Sequence, residues 1–265
     1  MARLQQLEAL PFVALSAKPK LLRMDRAGHM AGVGGLNVLD LFSGVGCFSL
    51  GLERAGMRTA AFCEVNEFCR RVLAKHWPDV PCYPDIRELT GARLRADGIA
   101  VDGICGGFPC QPFSTASRGR RVAIDLWPEM LRVVGDVKPR FVIAENVHEA
   151  PVALAAECFR RIGYRADCRR ISADDAWADH QRDRWWATAH ADTEGELHGA
   201  IDAEVAKLPA LCSGLWGPGN YARAVRVLDG PADRMDRVGA LGNAVLPQIP
   251  EALGRAVMSA TISTS

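Results

Sequence analysis

The sequence predicts an α/β fold built on a doubly wound, mostly parallel sheet, on three observations. Short apolar runs alternate with stretches of helical periodicity from Asn37 to about Gly163. The first apolar run ends in a glycine-rich turn that leads straight into a helix. The polar residues with chemical potential cluster just past the ends of apolar runs, where parallel sheets place their ligands.

Taken in order, residues 37–42 form a buried strand by composition, and Ser43-Gly44-Val45-Gly46 turns the chain tightly. Phe48, Leu52 and Ala55 share one face of a helix closed by Gly56. Residues 58–64 read as a second strand and 67–76 as a helix. Gly103-Ile104-Cys105 is a strand end, 127–134 a helix, and 141–144 a strand set between Pro139 and Glu145-Asn146. Residues 153–162 are helical up to Gly163. Beyond His190 the periodicity weakens, and 191–237 is rich in Asp, Gly, Pro and Ala. A helix resumes over 250–260.

With 265 residues, 49% of them hydrophobic and 24% charged, the chain has the balance of a globular protein with one large domain and a small accessory region. No apolar run nears the roughly 18–20 residues of a membrane span, and Glu8 interrupts the short apolar stretch at the N-terminus, which does not read as a signal peptide. A cytoplasmic protein, bacterial or phage-encoded, is expected. The nine cysteines are scattered without a Cys-x-x-Cys pair, which argues against a disulfide framework or a zinc site. A net charge of +1 neither announces nor excludes nucleic acid. The arginines dense between 160 and 184 suit phosphate contacts, and equally a solvated surface.

The turn at 42–46 lets a ligand approach the backbone, and Glu64 stands 18 residues after Gly46 at the end of the second strand. An acidic residue at about that distance holds ribose hydroxyls in dinucleotide folds, so a nucleoside-bearing cofactor is expected. Ser49 stands where the third glycine of Gly-x-Gly-x-x-Gly would be, which argues against a nicotinamide. Further on, Pro109 and Pro112 bracket Cys110 and Gln111 on a loop. A cysteine on a stiff loop at the ligand edge is a candidate nucleophile. By itself it reads more simply as a buried, inert thiol.

Four segments in order change that reading: Asp40-Leu41-Phe42-Ser43-Gly44-Val45-Gly46, Pro109-Cys110-Gln111, Glu145-Asn146-Val147 and Gly242-Asn243-Ala244-Val245. Together they closely resemble the cytosine-5 DNA methyltransferase family, phage or bacterial type, from about Asn37 to the C-terminus. The resemblance implies a Rossmann-like, S-adenosylmethionine-dependent methyltransferase fold with a small, loop-rich second region. Cys110 would attack carbon 6 of a flipped-out cytosine, so that carbon 5 can take a methyl group. Glu145, directly after an apolar strand, would act as donor near ring nitrogen 3, its protonated form favoured by burial. His180-Gln181-Arg182-Asp183-Arg184 resembles the next motif, with His180 where many members carry Gln. Arg184 would contact the cytosine carbonyl oxygen, and Arg182 would support the nucleophile loop or a phosphate. Read alone, Glu145 could equally cap a helix, and the arginine pair could sit solvated on an edge strand.

For S-adenosylmethionine the resemblance implies Phe42, Gly44, Gly46, Glu64 at the ribose, Asp85 with Ile86 at the adenine, Pro109, and Asn243. Cys47 departs from the family's usual second glycine. Gln111, Ser114, Arg118 and Arg120 are placed to hold phosphates of double-stranded DNA. No metal and no membrane partner is expected, and the chain is expected to be a monomer. The organisation reads as an N-terminal extension (1–36), a catalytic domain (37–189), a reduced target-recognition region (190–237) and a C-terminal segment that packs back on the catalytic domain (238–265). A restriction–modification setting fits this family. The rival readings are a tRNA cytosine-5 methyltransferase of the same family and a non-catalytic DNA-binding remnant.

Overall fold

The computed structural model describes residues 35–109, 125–173, 175, 183–191, 197–208 and 244–262. Within them a seven-stranded sheet runs in the order β3-β2-β1-β4-β5-β7-β6. Its strands are β1 (Asn37–Leu41), β2 (Arg58–Cys63), β3 (Cys82–Tyr83), β4 (Gly103–Gly107), β5 (Phe141–Asn146), β6 (Arg165–Ser172) and β7 (Asp183–His190). Strands β1 to β5 pair in parallel, while β7 inserts antiparallel between β5 and β6. The expected α/β, Rossmann-like, mostly parallel sheet is therefore present. Chain order reverses between β1 and β4, and that crevice is where such sheets hold ligands.

Helices cover both faces, as the nearly continuous burial of β1, β4 and β5 requires. On one face lie α4 (Trp127–Val137) and α5 (Glu149–Arg161), which contribute Met130, Val133, Val152 and Phe159 to the core. On the other lie α1 (Cys47–Arg54), α6 (Leu197–Val205) and α7 (Gln248–Ile262), which meet around Phe48, Leu52, Trp186, Leu197, Ile201 and Ile249. Two further helices, α2 (Glu67–His76) and α3 (Gly91–Ala96), start at side-chain caps from Asn66 and Thr90. Helices α1 and α7 cross closely because Gly51 and Gly254 have no side chains: a Cβ on Gly51 would lie 2.2 Å from the Pro247 carbonyl oxygen.

Three differences from the sequence reading matter. Strand β5 runs on through Glu145 and Asn146, which pair with Trp186 and Trp185, so Glu145 is a strand residue rather than the first residue beyond one. Strand β6 went unnoticed because it carries three arginines, which an edge strand with one partner tolerates. Helix α6 falls inside the stretch read as loop-rich, yet Leu197, Ile201 and Leu208 belong to the core beneath α7. Among the described residues no helix is long and apolar enough to cross a membrane, and the seven described cysteines are free thiols.

Candidate active site

The parallel strands end at one edge of the sheet, and the chemistry-bearing residues follow from that edge. After β1 the chain enters a left-handed conformation three times, at Phe42 (φ 54°), Gly44 (φ 54°) and Gly46 (φ 86°). Glycine takes it freely, whereas Phe42 holds it at a steric cost, the kind of strain that concentrates at functional sites. Ser43 fixes the turn: its Oγ donates to the Asp40 carbonyl at 2.6 Å and accepts from the Cys63 N–H at 3.3 Å. Glu64, at the end of β2, reaches back across the crevice. Its Oε2 accepts from the Gly44 N–H at 2.7 Å, and its Oε1 accepts from the Asn66 N–H at 2.7 Å. The acidic residue expected from the sequence thus touches the glycine turn.

Beneath the turn, Asp40 is fully buried. Its Oδ2 accepts from the Ser49 hydroxyl at 2.7 Å. Burial pushes its carboxyl up to about 7, against the lowering effect of the Ser49 and Cys105 contacts. Burial also pushes the thiols around it up: Cys63 to about 12, Cys82 to about 11, and Cys105 well above its ordinary range. These are inert thiols that would not compete with a reactive cysteine. Asp85, half-buried after β3, accepts from Arg87, whose guanidinium holds its carboxyl below the ordinary value. Ile86 is buried, and its carbonyl accepts from Arg132 of α4 at 2.7 Å, which anchors this loop to the body of the fold.

At the other end of the edge, Glu145 of β5 and Arg184 of β7 form an ion pair, Nε to Oε1 at 2.8 Å. Both side chains are largely out of water, with 7% of Glu145's and 14% of Arg184's surface exposed. The second carboxylate oxygen lies over Gly107, where a Cβ would approach it to 2.8 Å. Gly107 is opposite Glu145 in the β4–β5 register and stands three residues before Cys110. A glycine there is what allows the carboxylate to lie flat across β4. Asn146 points to the other face and donates from Nδ2 to the Phe108 carbonyl at 2.7 Å, fixing the chain just beyond β4 to β5. The sequence quoted Asn146 within a motif but gave it no role. Its spacing after Glu145, which sends the two side chains to opposite faces of one strand, was the available signal.

Of the expected site residues, the fold brings Phe42, Gly44, Gly46, Glu64, Asp85, Ile86, Pro109, Glu145 and Arg184 to one sheet edge. Cys110, Gln111, Ser114, Arg118, Arg120, Arg182 and Asn243 lie outside the described residues. For several of the arginines between 160 and 184 the surface reading holds: Arg160, Arg161 and Arg170 are about half exposed and pair with Glu157 and Asp183, whereas Arg169 is largely buried between Asp167 and Asp202.

A doubly wound sheet with β7 inserted antiparallel, a glycine turn after β1 and an acidic residue after β2 defines the class of Rossmann-like methyltransferases. Solved structures agree on the fold. A methyltransferase of Entamoeba histolytica matches with a TM-score of 0.56 at 14% identity, over 86% of this chain and 99% of that one. A protein described as a DNA modification methyltransferase encoded within an E. coli prophage matches with a TM-score of 0.50 at 30% identity, over 59% of this chain and 47% of that one. The chain belongs to the C-5 cytosine-specific DNA methylase family, whose model matches residues 36–209. Among curated relatives, the Type II methyltransferase M1.HphI of Haemophilus parahaemolyticus is 34% identical over 164 residues, covering 56% of this chain and 44% of that protein. M.CviJI of Paramecium bursaria Chlorella virus IL3A is 30% identical over 161 residues, covering 57% and 42%. The chain thus spans less than half the length of these two relatives.

Proposed function

We propose that the chain transfers a methyl group from S-adenosylmethionine to carbon 5 of a flipped-out cytosine in double-stranded DNA, through a covalent Cys110 adduct, in the cytoplasm of a bacterium or phage-infected cell. The observation that carries this reading is the buried Glu145–Arg184 pair at the carboxyl edge, with the second carboxylate oxygen over Gly107, three residues before Cys110. A carboxyl group that can carry a proton and a guanidinium, on adjacent strands, suit a flat, polar ring that needs donors at a nitrogen and at a carbonyl oxygen.

The residues at the turn fit the cofactor. Among the described residues nothing stands within 4 Å of where a Gly44 Cβ would be, so a ligand can rest on the backbone there. The Glu64 oxygens each accept one backbone N–H and retain lone pairs for ribose hydroxyls. Bound in this turn, S-adenosylmethionine supplies the electrophilic methyl group. The protein's own work lies in four steps. The Cys110 thiolate bonds to carbon 6, which makes carbon 5 nucleophilic. Glu145, protonated, donates its proton to ring nitrogen 3, where negative charge develops, and Arg184 donates to the carbonyl oxygen. Asn146 keeps the Phe108 carbonyl, and with it the loop, in place. The carbon 5 proton is then lost to a water molecule, the electrons of that C–H bond re-form the 5,6 double bond, and the Cys110–carbon 6 bond breaks to return the thiolate.

The test is transfer of a labelled methyl group to duplex DNA and to tRNA, with bisulfite sequencing of the product. Transfer to DNA supports the reading; transfer to tRNA alone moves the substrate to the RNA branch, and no transfer to either leaves a non-catalytic remnant. Cys110→Ala is expected to abolish transfer while calorimetry still detects S-adenosylmethionine binding. DNA carrying 5-fluorocytosine should trap a covalent complex, because fluorine cannot leave as a proton.

A further inference from the structure

We propose that Trp77 is a positioning residue for the cofactor turn: its indole ring, held by Glu53, sets the left-handed Gly46 from which α1 starts. This rests on reading the 42–46 turn as the S-adenosylmethionine site. Trp77 caps the C-terminus of α2, and the six-membered ring of its indole reaches the far side of the turn. A Cβ on Gly46 would lie 2.6 Å from ring carbon Cζ3 and 2.7 Å from Cη2, with Leu73 Cδ2 at 3.0 Å. Glycine is thus required at 46 twice over, by its φ of 86° and by the ring pressed against its α-carbon.

The ring has little freedom to retreat. Its Nε1 donates to both carboxylate oxygens of Glu53, at 2.9 and 3.0 Å. Glu53 Oε1 also accepts from the Thr59 hydroxyl at 2.5 Å. On its other side the ring meets Phe62 nearly edge-on, with centroids 5.4 Å apart. One side chain is therefore tied to α1 through Glu53 and to β2 through Glu53–Thr59 and Phe62, and it bears on the residue where α1 begins. Gly46 brings no side-chain cap to α1, and no acidic residue stands in the first turn. The direction of the first N–H groups of α1, the ones a cofactor would meet, is then set from behind by the ring.

Filling a core is a different role, and it predicts different results. A filler serves through volume alone; a positioning residue also needs the N–H that fixes its angle. The experiment is calorimetric titration of S-adenosylmethionine into the full chain and into Trp77→Phe, Trp77→Ala, Glu53→Gln and Gly46→Ala, alongside steady-state methyl transfer. Trp77→Ala should weaken binding about tenfold or more, the size expected when a hydrogen bond to a charged acceptor is lost with its packing. KM for S-adenosylmethionine should rise in step, while kcat and the KM for DNA change by less than about twofold. Glu53→Gln keeps the packing, Trp77→Phe keeps an aromatic ring but loses the N–H and the ring carbons against Gly46, and both should raise the same KM by roughly three- to tenfold. Gly46→Ala should do less harm in the Trp77→Ala background than alone, because the added methyl no longer meets the ring. Tryptophan emission should change when S-adenosylmethionine is added to the wild-type chain, and by clearly less in Trp77→Phe.

Unchanged affinity and KM in Trp77→Phe and Glu53→Gln would overturn the proposal, even if Trp77→Ala fails to fold. So would a loss of activity that follows only the folded fraction, with KM intact. A wild-type chain that binds no S-adenosylmethionine would instead sink the cofactor reading, and this proposal with it. Wild-type binding with indifferent variants sinks the proposal alone.

Discussion

At the β1–β2 end of the sheet the chain shapes a site with its backbone. A run of left-handed residues, one serine and one glutamate, all within 23 positions of each other, close the crevice through hydrogen bonds to main-chain groups. At the β5–β7 end the site is made of two side chains 39 positions apart, joined by an ion pair that exists only because β7 inserts beside β5. The first kind of site suits a ligand gripped by shape and by main-chain donors. The second suits a reaction in which charge moves, since a buried carboxylate and guanidinium act in a medium that screens them weakly. The contrast implies that damage at one end should show in binding and damage at the other in turnover.

The largest effect is expected from Arg184→Ala. It leaves the Glu145 carboxylate buried without its guanidinium, which costs on the order of 3–5 kcal/mol of stability. On the proposed mechanism it also removes the donor to the cytosine carbonyl oxygen, which would cost about 10²–10³ in kcat. Arg184→Lys should recover part of the stability and little of the turnover, because an ammonium lacks the planar fork. Denaturant midpoints and single-turnover methyl transfer separate the two effects. A variant with normal turnover would remove Arg184 from the chemistry.

At the opposite end, Glu64→Ala should act on binding. The Gly44 and Asn66 N–H groups each lose a charged acceptor, and any ribose hydroxyl loses its partner. Affinity for S-adenosylmethionine should fall roughly 10- to 100-fold, with kcat at saturation within a few-fold of wild type. Calorimetry with steady-state kinetics checks this. A fall in kcat at unchanged affinity would erase the division between the two ends.

That division also explains what could be read in the letters. The turn at 42–46 and its acidic partner were legible because both follow strand ends in a short stretch, and glycine spacing carries its own steric meaning. Glu145 was legible as a residue but misplaced. A strand judged by apolar letters stops at Ala144, whereas the ladder to β7 continues to Asn146. Strand β6 is hidden by Arg165, Arg169 and Arg170, of which Arg169 and Arg170 meet the carboxylates of Asp202 and Asp183 only in the folded state. Helix α6 is hidden because its two buried residues, Leu197 and Ile201, make too thin a stripe to stand out among polar neighbours. Asn146 touches a distant carbonyl and Trp77 touches Gly46, Glu53 and Phe62, contacts for which sequence spacing offers no rule.

The smallest expected effect tests the ground beneath the turn. Asp40 titrates near pH 7 in the folded chain against an ordinary value of 3.8, chiefly because burial disfavours its charge. Between about pH 4 and 7 the folded state therefore holds a proton that the unfolded state releases, so stability must fall as pH rises through that window and level off above it. Ser49 on α1 donates to the carboxyl, the Cys105 thiol faces it from β4, and Glu64 just beyond β2 adds a like charge. Asp40→Asn keeps an oxygen for Ser49 but cannot ionise. The difference in unfolding free energy between variant and wild type should change by up to a few kcal/mol across the window, favouring the variant as pH rises. Taking the difference cancels the slopes of all other groups common to both chains. Urea midpoints at pH 5, 6, 7 and 8 measure it. Parallel curves would mean that Asp40 is already charged at pH 5 and that its buried oxygens are better served than the Ser49 and Cys105 contacts account for.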